Sequence, residues 1–291
     1  MIEKNITILV PGSCDAACEF CFWDREGGKI KPPSDYFTML RRTLLTLSET
    51  MYPNLSISGG EPTISKFLRQ TLIEVAQIRR ERKFEKVILT THGGNLREFV
   101  DLVSCSVDYV NISRHHFDDE ENRKIFKSKN VPTTEELSQL IPLLPPVTFN
   151  CVIKQDTSFE FCEEFISFAV SVGVHSVSFR KESSNIDPSD AEKHFVQLFP
   201  TVAESSCPVC RGVSVAVLGG AILINFKSSV PEPSIELGED YEVVFHPDGE
   251  LYADWGRKLK YKYLTNTSKK VSPPSERYSV GCGYSSPSTG C

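Results

Sequence analysis

The sequence has 291 residues, of which 40% are hydrophobic and 24% are charged. These proportions are ordinary for a globular protein and exclude a chain that is disordered throughout. No apolar run approaches the roughly 18 residues that a membrane-spanning helix needs. The 32 basic and 38 acidic residues give a net charge of −6, which argues against non-specific binding of nucleic acid, because such binding depends on basic side chains.

The amino-terminal segment, MIEKNITILVPG, lacks the charged start and long apolar stretch of a secretory signal. We therefore expect a cytoplasmic protein whose thiols stay reduced. The chain contains ten cysteines. In a reducing compartment, that number indicates metal binding or catalysis more than a disulfide framework.

The first part of the chain alternates predicted strands and helices. Hydrophobic patterning predicts strands at 5–11, 54–58, 86–91, 108–113, 148–153 and 175–180. It predicts helices at 34–49, along an apolar stripe from Phe67 to Ala76, and at 95–103, 118–128, 133–143, 158–172 and 188–198. This alternation indicates a parallel sheet covered by helices, with too few units for an eight-stranded barrel. We expect residues 1–200 to form an α/β partial (β/α)6 barrel, with ligands at the carboxyl ends of its strands.

The pattern changes after about residue 200. Apolar runs separated by turn residues predict two hairpins, at 213–225 and 241–255. We therefore expect residues 201–291 to form a small β-rich extension. If the second hairpin closes the open side of the barrel, Asp254 and Trp255 would lie near the substrate.

Three cysteines directly follow the first predicted strand. Cys14, Cys18 and Cys21 have the spacing C-x3-C-x2-C. Three thiolates at this spacing can bind three irons of a [4Fe–4S] cluster. Because a fully ligated cluster needs four cysteines, the fourth iron is left without a protein ligand and can bind a small molecule. The alternatives are a zinc site, although zinc sites more often pair two C-x2-C units, or chance clustering.

The segment CDAACEFC resembles the signature of the radical S-adenosylmethionine (SAM) superfamily, C-x3-C-x-Φ-C with Φ aromatic. After the second strand, Gly59-Gly60-Glu61-Pro62 is similar to the GGE-P motif of that family. The resemblance covers about residues 5–200 and implies a partial barrel in which the open iron binds the amino and carboxylate groups of SAM. It also implies that the reduced cluster cleaves SAM to a 5′-deoxyadenosyl radical, which abstracts hydrogen from a substrate.

The resemblance also implies SAM contacts at the strand ends, from Phe20, Gly59, Gly60, Glu61, Ser113, Asn150 and Arg180. In this interpretation Phe20 lies near the adenine, and the glycine turn with its carboxylate lies near the amino group. Ser113 and Asn150 suit the ribose, and Arg180 suits the methionine carboxylate. The adenine site is left undefined, because the family pattern G-x-I-x-G-x-x-E is not evident.

Two neighbouring histidines follow the fourth predicted strand. His115 and His116 lie at the expected mouth of the barrel, where they could serve in acid–base chemistry or metal binding. The alternative is a loop that simply leads into the next helix, which Asp118 can cap.

A second group of cysteines lies beyond the barrel. Cys207 and Cys210 form a C-x2-C pair before the first hairpin, and Cys282 and Cys291 lie near the carboxyl terminus. Together they could bind an auxiliary iron–sulfur cluster, since the pair resembles the start of the half-module called a twitch domain in radical SAM enzymes. The third cysteine expected shortly after the pair is absent, so zinc or unliganded thiols are the alternatives.

We therefore predict a cytoplasmic radical SAM enzyme with a [4Fe–4S] cluster, a small-molecule or nucleoside-like substrate, and flavodoxin or ferredoxin as its electron donor. A peptide-modifying maturase is the alternative, disfavoured because no peptide-binding domain precedes Cys14. A further alternative is a non-catalytic iron–sulfur or electron-transfer protein. Such a protein would need neither the GGE-P motif nor six strand–helix units.

Overall fold

The computed structural model describes residues 4–21, 30–48, 52–81, 84–182, 187–199, 202–204, 213–216, 222–227, 242–253, 255 and 257. The strands of the barrel are β1 (Asn5–Val10), β2 (Asn54–Gly59), β3 (Lys86–Thr91), β4 (Tyr109–Ser113), β5 (Val147–Ile153) and β6 (Ser176–Lys181). The helices are α1 (Tyr36–Ser48), α2 (Leu68–Glu81), α3 (Val100–Ser106), α4 (Asp119–Phe126), α5 (Thr134–Leu140), α6 (Phe159–Ser171) and α7 (Asp190–Leu198). The predicted strand–helix alternation is confirmed.

Two predicted helices are shorter than expected. The segment predicted at 95–103 begins as a 3-10 turn at Leu96–Phe99 and becomes α-helical only in α3. In the segment predicted at 133–143, the α-helix α5 ends at Leu140, and the chain continues as a 3-10 turn at Ile141–Leu143. That turn contains Pro142, which has no backbone N–H and therefore cannot continue the helical hydrogen bonding.

The described strands form one sheet in the order β11-β10-β1-β2-β3-β4-β5-β6-β9-β8-β7. The additional strands are β7 (Val202–Glu204), β8 (Val213–Ala216), β9 (Leu223–Lys227), β10 (Glu242–Phe245) and β11 (Leu251–Tyr252). The strands from β1 to β6 are parallel neighbours in chain order. Because β11 and β7 lie at opposite edges of this sheet, the barrel is not closed, and the predicted partial (β/α)6 barrel is confirmed.

Both predicted hairpins are present, as the antiparallel pairs β8–β9 and β10–β11. Each hairpin also extends the barrel sheet, since β9 pairs in parallel with β6 and β10 pairs in parallel with β1. Strands from both sides of residue 200 therefore share one sheet. The division into units 1–200 and 201–291 stays a prediction.

The second hairpin places Trp255 at the amino end of the barrel. The indole Nε1 of Trp255 donates a hydrogen bond of 3.1 Å to Glu242, the first residue of β10. Glu242 pairs with Asn5, the first residue of β1. Trp255 is thus remote from the cysteines that follow β1, which argues against the expected approach to the barrel mouth. Asp254 lies outside the described residues.

The two faces of the barrel strands differ sharply in polarity. On β1, Ile6, Ile8 and Val10 are buried in the apolar core that lies between the sheet and the helices. The alternate residues of each strand face the barrel interior. On β2 to β6 these are mostly hydroxyl and amide side chains: Ser56, Ser58, Thr90, Asn111, Ser113, Thr148, Asn150, Ser176 and Ser178. The interior is therefore suited to a polar ligand.

None of the helices in the described part of the chain has the length and apolarity that a bilayer crossing requires.

Candidate active site

The cysteine loop, residues 14–21, begins just beyond the carboxyl end of β1. Cys14 and Cys18 are half-buried, Cys21 is exposed, and none of the three is in a disulfide. The backbone N–H of Ala16 donates to the Cys14 sulfur at 3.4 Å. Burial raises the pKa of the Cys14 thiol to about 12. A metal that binds this sulfur must therefore displace its proton.

The cysteine loop is held by the end of α4 and the residues that follow it. The N–H of Ala17 donates to the carbonyl of Phe126 at 2.8 Å. Lys127 forms an exposed ion pair of 2.9 Å with Glu19. The ring of Phe20 meets the ring of His115 edge-on, with centroids 4.7 Å apart. These contacts fix the backbone that presents the three thiols.

Asp15 and His92 form a further contact beside Cys14. The Nε2 atom of His92 lies 2.8 Å from the Asp15 carboxylate, which also accepts a hydrogen bond of 3.0 Å from Asn130. Burial alone would raise the pKa of Asp15, but the hydrogen bonds from His92 and Asn130 hold it below its ordinary value. Ligand atoms of Cys14, Asp15 and His92 all lie within 4.8 Å of one another. No role is predicted from the sequence for Asp15 or His92.

The Gly59-Gly60 turn packs directly against the cysteine loop. The N–H of Glu61 donates to the carbonyl of Ser13 at 3.1 Å. A Cβ atom on Gly60 would lie 2.8 Å from that carbonyl group and 3.0 Å from the nitrogen of Cys14. Only glycine at position 60 permits this approach of the two backbones, so the two motifs found in the sequence form one structural unit.

The carboxylate of Glu61 links the ends of β2 and β3. Glu61 is only 3% exposed. One of its oxygens accepts hydrogen bonds from Thr63 and Thr91, and the other accepts one of 2.7 Å from the N–H of His92. The carboxylate thus shapes the turn in addition to the SAM contact predicted for it. That contact stays a prediction.

The polar residues expected after β4, β5 and β6 lie side by side on the interior face. Asn150 on β5 pairs with Ser113 on β4 and with Ser178 on β6. Arg180 lies two residues beyond Ser178 on β6, where it pairs with Val152. Asn150 and Ser178 are 7% and 2% exposed. Among the described residues, the Asn150 side-chain oxygen and the Ser178 hydroxyl have no hydrogen-bond partner. Ser178 is not among the site residues predicted from the sequence.

The two adjacent histidines have different surroundings. His116 accepts a hydrogen bond of 3.0 Å at Nδ1 from the N–H of Asp118, so it belongs to the loop before α4. His115 is buried, and its Nδ1 accepts a hydrogen bond of 3.1 Å from the N–H of Val152. Burial and the neighbouring Arg114 lower the pKa of His115 to about 3. His115 is therefore neutral, with its proton on Nε2.

Arg114 fixes the loop behind His115. This arginine is 1% exposed, and its guanidinium donates to the carbonyls of His116, Phe117 and Pro132 at 2.6, 3.0 and 3.0 Å. It also contacts the Asp119 carboxylate at 2.6 Å. Its donors are thus engaged within the protein, which makes Arg114 a structural residue at the barrel mouth.

The other predicted metal ligands are Cys207, Cys210, Cys282 and Cys291, and they lie outside the described residues. The auxiliary site stays a prediction. The first three cysteines fit a [4Fe–4S] cluster well, because they are not in disulfides, they share one loop, and that loop has a donor N–H directed at a sulfur. Three ligands leave one iron open.

A family model described as the radical SAM superfamily matches residues 8–152. The GTP 3′,8-cyclase of Rhizobium meliloti (strain 1021) is 27% identical over 123 residues, which cover 41% of this chain and 35% of the relative. The probable GTP 3′,8-cyclase of Saccharolobus solfataricus is 24% identical over 181 residues, which cover 60% of this chain and 55% of the relative. The chain therefore spans only part of the length of these relatives.

Solved structures share the fold. The crystal structure of Streptococcus suis SuiB has a TM-score of 0.59 at 16% identity, covering 87% of this chain and 60% of SuiB. The structure of anSMEcpe with bound AdoMet and Cp18Cys peptide has a TM-score of 0.53 at 12% identity, covering 86% and 73% of the two chains. The matched sequence region includes both the cysteine loop and the GGE-P turn. The chain belongs to the radical SAM superfamily of enzymes.

Proposed function

We propose that the protein cleaves SAM to a 5′-deoxyadenosyl radical, which abstracts hydrogen from a small-molecule or nucleoside-like substrate. Cys14, Cys18 and Cys21 would hold the [4Fe–4S] cluster. When bound, that cluster supplies the electron that cleaves SAM. The observation that carries the proposal is the close packing of the glycine turn against Ser13 and Cys14, at the start of the loop that carries all three cysteines and at the carboxyl end of the sheet.

The chain's own residues would bind and orient SAM. The Glu61 oxygen that accepts the N–H of His92 can also accept a hydrogen bond from the amino group of SAM. Ser113 and Asn150 face the barrel interior in register and can contact the adenosyl group. Arg180, the next interior residue after Ser178 on β6, would bind the methionine carboxylate.

The lining of the barrel interior supports a polar substrate. Thr90, Asn111 and Thr148 are paired in register across β3, β4 and β5, and each is partly exposed. Hydroxyls and amides in such a place hydrogen-bond a substrate that bears hydroxyl, amino or carbonyl groups. The two curated relatives are named for a reaction of GTP, which supports the nucleoside-like class.

A peptide-modifying maturase is the second candidate function. A structure of SuiB bound to its precursor peptide SuiA has a TM-score of 0.52 and 21% identity to this chain. That likeness shows the fold alone. Under either function we propose a cytoplasmic location and flavodoxin or ferredoxin as electron donor, with the second cysteine group as an auxiliary metal site.

The reaction class is tested by anaerobic reconstitution with iron and sulfide, reduction with dithionite, and assay of 5′-deoxyadenosine. We expect SAM-dependent product from the wild type and none from the Cys14→Ala/Cys18→Ala/Cys21→Ala variant. Cys162→Ala is the matched control, because this thiol is buried in the apolar core on α6. Iron retained by the triple variant would support the auxiliary site. A fully loaded, reducible wild type that yields no 5′-deoxyadenosine with or without candidate substrates would favour the non-catalytic alternative.

A further inference from the structure

The polar lining of the barrel interior continues from β6 onto β9 of the first hairpin. Asn150 on β5 pairs with Ser178 on β6, and Ser178 pairs with Asn225 on β9. Paired residues of neighbouring strands point to the same face of a sheet. The residues that follow on β6 and β9, Phe179 and Phe226, stack in the core on the opposite face, with ring centroids 5.2 Å apart. Ser178 and Asn225 therefore face the interior side by side.

Both residues keep hydrogen-bonding groups that the described residues do not use. Ser178 is 2% exposed and Asn225 is 9% exposed. The Ser178 hydroxyl has no hydrogen-bond partner in the described part of the chain. The side-chain oxygen of Asn225 accepts from the Ser214 hydroxyl at 2.6 Å, and no bond from the Asn225 amide nitrogen occurs within the described ranges. An unpaired buried polar group costs free energy unless a ligand satisfies it.

The interior pair one step towards the amino end has its hydroxyls satisfied. Thr148 and Ser176 pair across β5 and β6 just as Asn150 and Ser178 do. Their hydroxyls lie 2.6 Å apart and bond to each other. The spacing of β5 and β6 therefore allows a bond between paired side chains, and the Ser178 hydroxyl is left available although such a bond is possible.

Ser178 and Asn225 lie on the side of the proposed adenosyl contacts that is away from the cysteine loop. The sheet order runs from β1, which precedes that loop, through β4 and β5 to β6 and β9. Ser178 and Asn225 are one and two strands beyond Asn150, or about 5 and 10 Å across the sheet. A substrate that gives up hydrogen to the adenosyl radical must lie next to it and away from the cluster. These two residues are thus placed to contact the substrate.

The chemistry of the two side chains selects a neutral group with one acceptor and one donor. The Asn225 amide nitrogen can only donate, whereas the Ser178 hydroxyl can accept or donate. A lactam, in which a carbonyl and an N–H share one carbon, can accept from Asn225 and donate to Ser178. A carboxylate or phosphate has no such donor and is bound better by cationic side chains. Among nucleoside-like molecules, 6-oxopurines and uracil carry a lactam edge.

We propose that Ser178 and Asn225 recognise a lactam edge of the substrate, with Asn225 donating to the carbonyl and Ser178 accepting from the ring N–H. Ser214 is a positioning residue, because its hydroxyl holds the Asn225 oxygen and leaves the amide nitrogen for the ligand. This assignment rests on the proposed function and narrows its nucleoside-like substrate to one with an oxo base.

The test compares inosine with adenosine, which share a sugar and a purine ring but present reversed edges. Inosine offers a carbonyl and an N–H, whereas adenosine offers an amino group and an acceptor nitrogen. Dissociation constants are measured anaerobically by calorimetry on reconstituted, unreduced protein saturated with SAM. The wild type should bind inosine about tenfold more tightly than adenosine, the effect of about one hydrogen bond.

Asn225→Asp should reverse this preference. The aspartate carboxylate cannot donate to a carbonyl but can accept from the adenosine amino group, and the Ser178 hydroxyl can then donate to the ring nitrogen. A merely structural role for Asn225 would weaken both nucleosides equally and leave the preference unchanged.

Ser178→Ala separates binding from stability. It should weaken inosine binding about tenfold without lowering the melting temperature, because the lost hydroxyl has no partner in the described part of the protein. Ser106→Ala is the matched control, since this buried hydroxyl at the end of α3 donates to the Leu72 carbonyl at 3.0 Å. It should lower the melting temperature and leave inosine binding unchanged. Iron content establishes that each variant is loaded.

The outcomes distinguish this assignment from the proposed function. A loaded, reduced wild type that yields no 5′-deoxyadenosine with or without the nucleosides would count against the proposed function. A wild type that cleaves SAM but binds inosine no more tightly than adenosine, or binds neither, would overturn only the lactam assignment. Unchanged inosine binding in Ser178→Ala, or an unchanged preference in Asn225→Asp, would overturn it as well.

Discussion

The imidazole of His92, at the carboxyl end of β3, contacts the carboxylate of Asp15 in the cysteine loop at 2.8 Å. The N–H of Gly94 donates to Nδ1 of His92 at 3.1 Å, which leaves the ring proton on Nε2, facing Asp15. Asp15 also accepts from Asn130. The residue directly after the first cysteine is thereby tied to two other loops of the barrel mouth.

We expect the His92–Asp15 contact to hold Cys14 in place for the cluster. Asp15→Ala removes the acceptor for both His92 and Asn130, whereas Asp15→Asn keeps an acceptor of the same shape. Asp15 is exposed, so losing its two hydrogen bonds costs less than about 1.5–3 kcal/mol, the cost of losing a shielded hydrogen bond to a charged group. We predict that Asp15→Ala binds less iron after reconstitution and that Asp15→Asn retains most of it. Equal iron in the wild type and Asp15→Ala would contradict this prediction.

Gly60→Ala should disturb the cysteine loop more than the rest of the fold. The added Cβ would meet the backbone of Ser13 at 2.8 Å, and backbone atoms can move away only by displacing the cysteine loop. We expect a loss of stability of about 1–3 kcal/mol together with reduced iron content. Gly173→Ala is the control: its positive φ of 82° disfavours alanine, but it ends α6 with nothing near the new Cβ. It should lower the melting temperature without lowering iron content.

A buried ion pair joins β6 to α7. Lys181 and Glu192 lie 3.1 Å apart with side chains 3% and 5% exposed. Removing one partner leaves the other charge buried, so Glu192→Ala should destabilise the protein by about 3–5 kcal/mol in urea unfolding. The double variant Lys181→Met/Glu192→Leu should regain most of that loss. A double variant no more stable than Glu192→Ala would show that the loss in Glu192→Ala does not come from leaving the charge of Lys181 buried without a partner.

The ionised carboxylate of Asp119 should stabilise the folded protein near neutral pH, and this contribution should be lost in acid. Burial alone would raise its pKa, but hydrogen bonds from Arg114 and Thr134 hold that pKa below its ordinary value. A carboxyl whose pKa is lower in the folded state stabilises the protein above the unfolded pKa of about 3.9, and this contribution is lost as the pH falls through the folded value. The stability difference between the wild type and Asp119→Asn should therefore be largest near neutral pH and shrink below about pH 4. A difference that does not change with pH would refute this assignment.

Local patterning made the barrel predictable from sequence. Apolar residues such as Ile6, Ile8 and Val10 alternate because one face of each strand is buried under helices. The cysteines and the Gly59-Gly60 turn were found because their short motifs directly follow predicted strands. The ends of α3 and α5 were predicted less well, since a switch to 3-10 geometry changes little in the hydrophobic period.

Contacts between distant segments could not be read from the sequence. Asp15 and His92 are 77 residues apart, and their pairing depends on the parallel arrangement of β1, β2 and β3. The pairing of β10 with β1 was also unforeseen, and it places Trp255 at the amino end of the barrel. The separate roles of His115 and His116 became apparent only from the hydrogen bond between His115 and Val152.

The most direct test of the central claim is the electron paramagnetic resonance spectrum of the dithionite-reduced, reconstituted protein, recorded with and without SAM. If Cys14, Cys18 and Cys21 leave one iron open, the spectrum should be that of a reduced [4Fe–4S] cluster, and its g-values should shift when SAM binds. A protein with about four irons per cluster whose spectrum is unchanged by excess SAM would contradict the account.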